Sequence, residues 1–330
     1  MGRLAIRILL PVFVAIMLVI AAGVAWWGHD RFVATGPLQQ SATIVIPKGA
    51  GPDAIAGLLR DNRVIAGVAA RKIFTIGARL TNRARRMRAG EYEFSPDISM
   101  DGAITLLVDG KTVKRKLTVA EGLSTRQVLA LVAAADGLTG PIPPGPGEGA
   151  LLPETYFFSH GDARAALVKR MGKAMKDFLA RTWQGRAPNL SLKTSEEALI
   201  LASIIEKETG RDGERERISA VFHNRLRRKM RLQSDPTVSY GITGSARPLG
   251  RTLTHDDLKT DSPYNTYRVY GLPPTPIANP GRDSIRAAVH PSQDADLYFV
   301  ADGAGGHAFA RSLSQHNRNV AKWRRLKRGK

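Results

Sequence analysis

The sequence predicts an α+β protein: one N-terminal transmembrane helix, a small α/β region behind it, and a larger mixed α+β domain towards the C-terminus. Three observations carry this expectation. Residues 8–27 are an uncharged apolar run, long enough to cross a bilayer as a helix. Short alternating stretches such as GEYEF at 90–94 are interleaved with stretches of helical period, the pattern of strands and amphipathic helices in one fold. The segment 194–210, TSEEALILASIIEKETG, is apolar on every side between its ends, and such a helix belongs in the middle of a domain.

The N-terminal run follows Arg3 and Arg7 and ends on Trp26 and Trp27. Basic residues ahead of the span and an aromatic pair at its end place residues 1–7 in the cytoplasm and the rest of the chain outside. The rival is a cleaved signal peptide with Gly23, Val24 and Ala25 as its small-residue site; the apolar run is longer than a usual signal core. Residues 28–40 read as a polar linker. From 41 to 140 come a strand at 43–47, a turn at 49–51 and a short amphipathic helix carrying Ile55, Leu58 and Leu59. A helix over 68–80, a strand at 90–94, a helix over 100–108, a strand at 113–119 and a helix over 125–135 follow. The stretch 138–149, with PIPPGPGEG, reads as a loop or boundary.

The C-terminal domain is expected over 150–326. It holds helices at 163–181 and 194–210, and a further one capped by Asp212 with Ile218, Val221, Phe222, Arg225 and Leu226 as its stripe. The proline-rich stretch 232–280 reads as mostly turns, a length of loop that inside a compact domain is usually functional. A helix at 284–289 and a hairpin of 297–301 with 307–310 close the domain. Residues after Trp323 read as a solvated basic tail, 327–330 at its extreme.

Lys and Arg number 49 against 29 Asp and Glu, a net charge of +20, which favours anionic partners. With a membrane-spanning start, nucleic acid is not the expected one. There is no cysteine, so disulfides, thiolate metal sites and cysteine nucleophiles are excluded. The seven histidines show no H-E-x-x-H spacing, no metal or cofactor is expected, and His307 reads as structural. Gly110-Lys111-Thr112 lacks the upstream glycine of a phosphate-binding loop, where Thr105 stands. No G-x-S-x-G elbow occurs.

The central helix carries the chemistry that remains. Thr194 and Glu197 have capping-box spacing and Gly210 is a natural stop. Near its end stand Glu206, Lys207 and Glu208. Glu206 shares a face with Leu199, Ala202 and Ser203, so enclosure and the helix dipole are expected to favour its protonated form, as a general acid requires. Glu208 lies about 200° further round, on a face where Lys207 or solvent would keep it ionised. Gln233, Asp235, Thr237, Tyr240, Asn265, Thr266 and Tyr267, on the following loops, offer amide, hydroxyl and aromatic groups suited to a sugar.

LASIIEKET at 201–209, LQSDPTV at 232–238, YNTY at 264–267, GLPP at 271–274, YFVAD at 298–302 and HAF at 307–309 occur in this order. Together they resemble the MltG-type (YceG-like) endolytic murein transglycosylases, bitopic envelope proteins that cut the glycan strands of peptidoglycan. VAEGL at 119–123 and LPETY at 152–156 extend the match, and residues 45–59 are similar to the LysM-like module expected ahead of the catalytic part. The Pro/Gly-rich stretch around 141–147 and the basic tail depart from the pattern without touching a motif.

The resemblance implies a YceG-like mixed α+β catalytic domain behind a LysM-like module. It further implies cleavage of the MurNAc-GlcNAc bond to leave 1,6-anhydro-MurNAc ends, in cell wall assembly and strand termination, with no cofactor. Glu206 corresponds to the catalytic acid, and Gln233, Asp235, Thr237, Asn265 and Tyr267 are the expected substrate-binding residues. One carboxylate suffices because the sugar's own 6-hydroxyl is the nucleophile, whereas a hydrolase usually needs two. The expected partners are peptidoglycan strands and cell-wall synthases of the penicillin-binding type. The expected location is the inner (cytoplasmic) membrane, single-pass, with the catalytic domain periplasmic. Two alternatives stay open: a peptidoglycan hydrolase using Asp235 as second carboxylate, and a non-catalytic glycan-binding scaffold. Asp235 is expected to bond its own backbone in a turn ahead of Pro236, which disfavours the hydrolase.

Overall fold

A computed structural model describes residues 2–208, 211, 213–246 and 249–328. Gly210 as a helix stop and Asp212 as a cap lie outside the described residues. The chain forms two compact units: residues 1–115 with 159–161, and 116–158 with 162–330. The Pro/Gly-rich stretch 138–149 therefore falls within the second unit. Its neighbours Leu138 and Leu151 are buried in that unit's core, which ties the stretch down as a packed loop.

In the first unit, α1 (Gly2–Val33) continues well past the apolar run. Its segment Leu10–Val33 contains an apolar stretch with a mean hydropathy of 2.3 of which nothing is buried, so it is long and apolar enough to cross a membrane. The expected 28–40 linker is in part this helix and in part core, because Phe32 and Leu38 are both 7% exposed. The order that follows is β1 (Ala42–Ile46), α2 (Pro52–Asp61), α3 (Ala70–Leu80), β2 (Gly90–Phe94) and α4 (Met100–Asp109). β1 and β2 are antiparallel, with Ile44 opposite Tyr92 and Ala42 opposite Phe94. Alternation with period two puts Ile44, Ile46, Tyr92 and Phe94 on one buried face, where they meet Ile55, Leu59, Phe74, Ile104 and Leu107 from the helices. Glu91, on the opposite side of the strand, is neutralised by Arg115, whose guanidinium reaches both carboxylate oxygens at 2.8 Å.

The second unit contains α5 (Thr125–Ala134), α6 (Arg164–Gln184), α7 (Ser195–Glu208), α8 (Arg215–Arg227), α9 (Asp235–Thr243), α10 (Arg282–Val289) and α11 (Leu313–Arg328). It also has two small sheets, β3 (Arg115–Thr118) with β4 (Thr155–Phe158), and the hairpin of β5 (Tyr298–Ala301) with β6 (His307–Ala310). The α7 helix is the axis of this unit, packed against α6, α8, α9 and α10. Leu201, Ala202, Ile204 and Ile205 are fully buried. At roughly 2–5 kcal/mol for truncating such an aliphatic side chain to alanine, these residues fix the helix that carries the glutamates. Its start is capped by Thr194, whose Oγ1 accepts from Glu197 N at 3.2 Å, while the Glu197 carboxylate reaches back to Lys193 N. That is one residue earlier than a standard capping box.

Three elements differ from the sequence reading. Residues 155–158 form a strand, and 235–243 form a helix inside the stretch read as turns, with Pro236 in its first turn where a missing N–H costs nothing. Residues 313–328 are helical, so the helix takes in the first residues of the tail expected after Trp323: the side of α11 carrying His316, Asn319 and Val320 is partly buried, and the helix packs on β5 and β6.

Candidate functional site

A cleft of about 590 Å³ runs through the second unit. One wall is the turn Gly122–Ser124, another is α9 from Asp235 to Thr243, a third is the segment 249–253, and Lys207 lies at the end of α7. The walls are held from behind by buried polar groups. Asn279 is fully buried and works as a clamp: its Nδ2 donates to Leu123 O (2.9 Å) and its Oδ1 accepts from Leu151 N (2.9 Å). Its own N–H donates to Leu123 O, and its carbonyl accepts from Gly122 N, both at 2.9 Å. Arg251 is tied to Asp257 by two contacts, at 2.5 and 2.9 Å. The Tyr240 phenol, pushed up to about 12 by burial and then by Glu148, stays a neutral donor beside the cleft.

Glu206 is partly buried beside this cleft. Its Cγ lies 3.6 Å from the place a Cβ would take on Gly122, a residue that lines the wall and has φ +74°. Glycine takes that backbone shape without cost, and alanine there is strained by about 1 kcal/mol. The Glu206 Oε2 accepts from Gly281 N at 2.8 Å. Gly281 caps α10, so the carboxyl meets the positive end of a helix, a partner suited to negative charge. A second carboxylate, Glu121, lies against the same glycine: a Cβ on Gly281 would fall 1.8 Å from its Oε1. Glycine is what lets both acids reach the start of α10.

A second carboxyl on this helix, Glu208, is enclosed by the protein and holds its proton. Its residue keeps some exposure, but the carboxyl sits among protein atoms. Burial is the largest cause and the Asp235 charge adds to it, pushing Glu208 up to about 7 against the opposing pull of the Ser234 hydroxyl and Arg225. The expected solvent-facing, ionised Glu208 is thus corrected: the loop 232–238 folds over that face of α7 and covers it. Ser234, 1% exposed, donates from Oγ to Glu208 Oε1 at 2.5 Å.

The five expected substrate residues gather around the same loop and divide by exposure. Gln233 and Asp235 are exposed. Asp235 lines the cleft and accepts from the Tyr267 hydroxyl at 2.6 Å, so its partner is a side chain across the loop and not its own backbone. Tyr267 is partly buried, and burial with the Asp235 bond raises its phenol well above the ordinary value. Thr237 and Asn265 are fully buried. Thr237 Oγ1 donates to Ser234 O (2.7 Å) and meets Thr266 Oγ1 (2.8 Å). Asn265 Nδ2 donates to Leu258 O and Thr260 O, and its Oδ1 accepts from Tyr267 N. With their polar atoms occupied inside the fold, these two shape the loops from within and have no group free for a sugar. His307 is likewise held, by the Glu214 carboxylate at 2.7 Å. Sequence reasoning missed Glu121, Ser234 and Asn279. Of these, Ser234 sits inside LQSDPTV and Glu121 inside VAEGL, so the motifs pointed to them without giving their roles.

The profile of the YceG-like family matches residues 44–322. The chain belongs to the YceG-like family. It is 32% identical over 317 residues, 86% of this chain and 85% of the relative, to the endolytic murein transglycosylase of Bacillus subtilis (strain 168). A second relative of that name, from Streptococcus pneumoniae serotype 2, is 35% identical over 178 residues, 53% of this chain but 32% of its own length. The crystal structure of a putative yceG-like protein of Listeria monocytogenes superposes with a TM-score of 0.51 at 31% identity, covering 85% of this chain and 99% of that one. Membership in the YceG-like family agrees with the mixed α+β architecture built around α7.

Proposed function

We propose that this YceG-like protein is an endolytic murein transglycosylase, held to the inner membrane by α1 with its second unit outside the cytoplasm. The observation that carries the reading is Glu206: a partly exposed residue at the end of a rigid buried helix, beside a cleft of mixed polar and apolar lining large enough for sugar units. In the reaction, Glu206 protonates the glycosidic oxygen between N-acetylmuramic acid and N-acetylglucosamine. The 6-hydroxyl of the muramic acid then attacks its own anomeric carbon, and Glu206 takes the proton that hydroxyl loses. Intramolecular attack places the nucleophile beforehand, an entropic advantage, and removes the need for the second carboxylate of a hydrolase. Asp235, Tyr267 and Gln233 orient the strand along the cleft, and Lys207 offers a cation to the anionic stem peptides.

The β1–α2–α3–β2 arrangement supports a LysM-like, glycan-holding role for the first unit. Cell-wall synthases of the penicillin-binding type are the natural partners, because a strand is cut where it is made. The test is Glu206→Gln. It keeps the fold and glycan binding and lowers cleavage by about 10²–10⁴, the usual contribution of a general acid. A folded Glu206→Gln protein that still cuts glycan near the native rate refutes the assignment.

A further inference from the structure

We propose that Glu208 is a positioning residue for this reaction: through Ser234 it holds the 232–238 turn, and with it the Asp235 carboxylate and the Tyr267 hydroxyl, at the wall of the cleft. The inference rests on the transglycosylase reading above. Its geometry is a chain of contacts from the interior outward. Glu208 Oε1 accepts a hydrogen bond from the hydroxyl of buried Ser234. The Ser234 N–H donates to Thr266 Oγ1 at 2.9 Å, and Thr266 Oγ1 meets Thr237 Oγ1 at 2.8 Å. Gln233 N donates to Thr266 O at 3.1 Å with Gln233 at φ +51°, a left-handed shape a non-glycine residue holds only where surroundings enforce it. The next residue after Ser234 is Asp235, which Tyr267 grips from the other side.

Among the described residues, the charges facing Glu208 are few. From α8 comes Arg225, 7% exposed, whose guanidinium is already used on Leu232 O and Leu297 O, both at 2.7 Å. From α9 comes Asp235, and from the 264–267 loop the Tyr267 phenol. The donor that touches Glu208 is therefore the neutral Ser234 hydroxyl, with Arg225 acting only at longer range. When Glu208 holds its proton the cluster carries the single carboxylate Asp235. When it loses the proton, two like charges face each other across Ser234, and repulsion in a poorly solvated place loosens the turn. The positioning is firm in mildly acidic and neutral solution and weakens as pH rises past about 7.

The experiment is the pH dependence of kcat and KM for the full chain cutting isolated glycan strands, with wild type, Glu206→Gln, Glu208→Gln and Ser234→Ala measured side by side. Glutamine keeps the acceptor oxygen for Ser234 and cannot ionise. Glu208→Gln is expected to retain activity within roughly tenfold at the acid side, well short of the loss of a general acid, and to lose the fall in kcat that wild type shows above about pH 7. Ser234→Ala is expected to lower kcat more than it changes KM and to move that fall. A Glu208→Gln profile that keeps the wild-type alkaline fall overturns the inference. So does a folded Glu208→Gln protein as inert as Glu206→Gln at every pH, which would make Glu208 the proton donor. If Glu208→Gln does not fold, Ser234→Ala decides, and an unmoved profile overturns the inference. Wild type that yields no anhydro ends fails the parent reading instead, a distinct outcome.

Discussion

Replacing Glu208 by glutamine is expected to stabilise the protein in alkaline solution and leave it almost unchanged in acid. In the folded protein this carboxyl is raised from 4.5 to about 7, chiefly by burial, whereas an unfolded chain releases its proton at the ordinary value. Below about pH 4 both states are protonated and the group has no effect on folding. Between about 4.5 and 7 the folded state holds a proton the unfolded state has lost, so stability falls as pH rises, and above about 7 the full penalty is present. At 1.36 kcal/mol per pH unit the penalty reaches about 3 kcal/mol; residual exposure of Glu208 brings it to about 1–3 kcal/mol. Glutamine removes the ionisation and keeps the Ser234 bond. At roughly 2–4 °C per kcal/mol for a unit of this size, the variant should melt several degrees above wild type at about pH 8, with the gap closing by about pH 4. Calorimetry of the full chain in detergent at a series of pH values reads this directly. A gap independent of pH, or one that widens in acid, refutes the reasoning.

Asn279→Ala strands Leu151 N in the interior, while Leu123 O keeps the backbone N–H of residue 279. It should cost about 1–3 kcal/mol for the stranded group and raise KM by loosening the Gly122–Ser124 wall, as urea titration and glycan kinetics would show. Gly281→Ala puts a methyl where the Glu121 carboxyl lies. Because that carboxyl ends an exposed, flexible side chain, the expected result is a folded protein with Glu121 displaced and slower cleavage; wild-type kinetics would mean that Glu121 has no part in the site. The full-length protein should resist alkaline extraction from membranes and keep its original N-terminus, whereas mature chains beginning near Trp26 would mark the segment as a cleaved signal.

The sequence made the frame legible where one physical signal dominated. The all-round apolar pattern of 194–205 placed α7 at the centre of the second unit, period-two alternation located β2, and the glycines between 301 and 307 marked the turn of the β5–β6 hairpin. What it hid was decided by tertiary contact. Glu208 looked solvent-facing on a helical wheel, and only the return of 232–238 across that face buries its carboxyl. Asp235 and Pro236 read as a turn by local chemistry, yet the same pair starts a helix, since proline is tolerated at that position. Thr237 and Asn265 carry sugar-compatible groups, but no local pattern tells an exposed amide from one spent on Leu258 O and Thr260 O. That Glu121 and Glu206 both lie against Gly281, a residue 75 positions from Glu206, is a matter of tertiary contact. The boundary between units also escaped composition, because prolines at 138–149 mark a packed loop in the core's neighbourhood.

The most direct test of a one-carboxylate transglycosylase is digestion of purified glycan strands in heavy-oxygen water, followed by mass analysis of the new ends. If Glu206 acts alone and the 6-hydroxyl is the nucleophile, every new MurNAc end is a 1,6-anhydro ring, the GlcNAc side is left as a plain 4-hydroxyl end, and neither carries the label. New reducing ends bearing heavy oxygen would mean that water attacks the anomeric carbon, with Asp235 or Glu121 as the second carboxylate, and would replace the transglycosylase by a hydrolase.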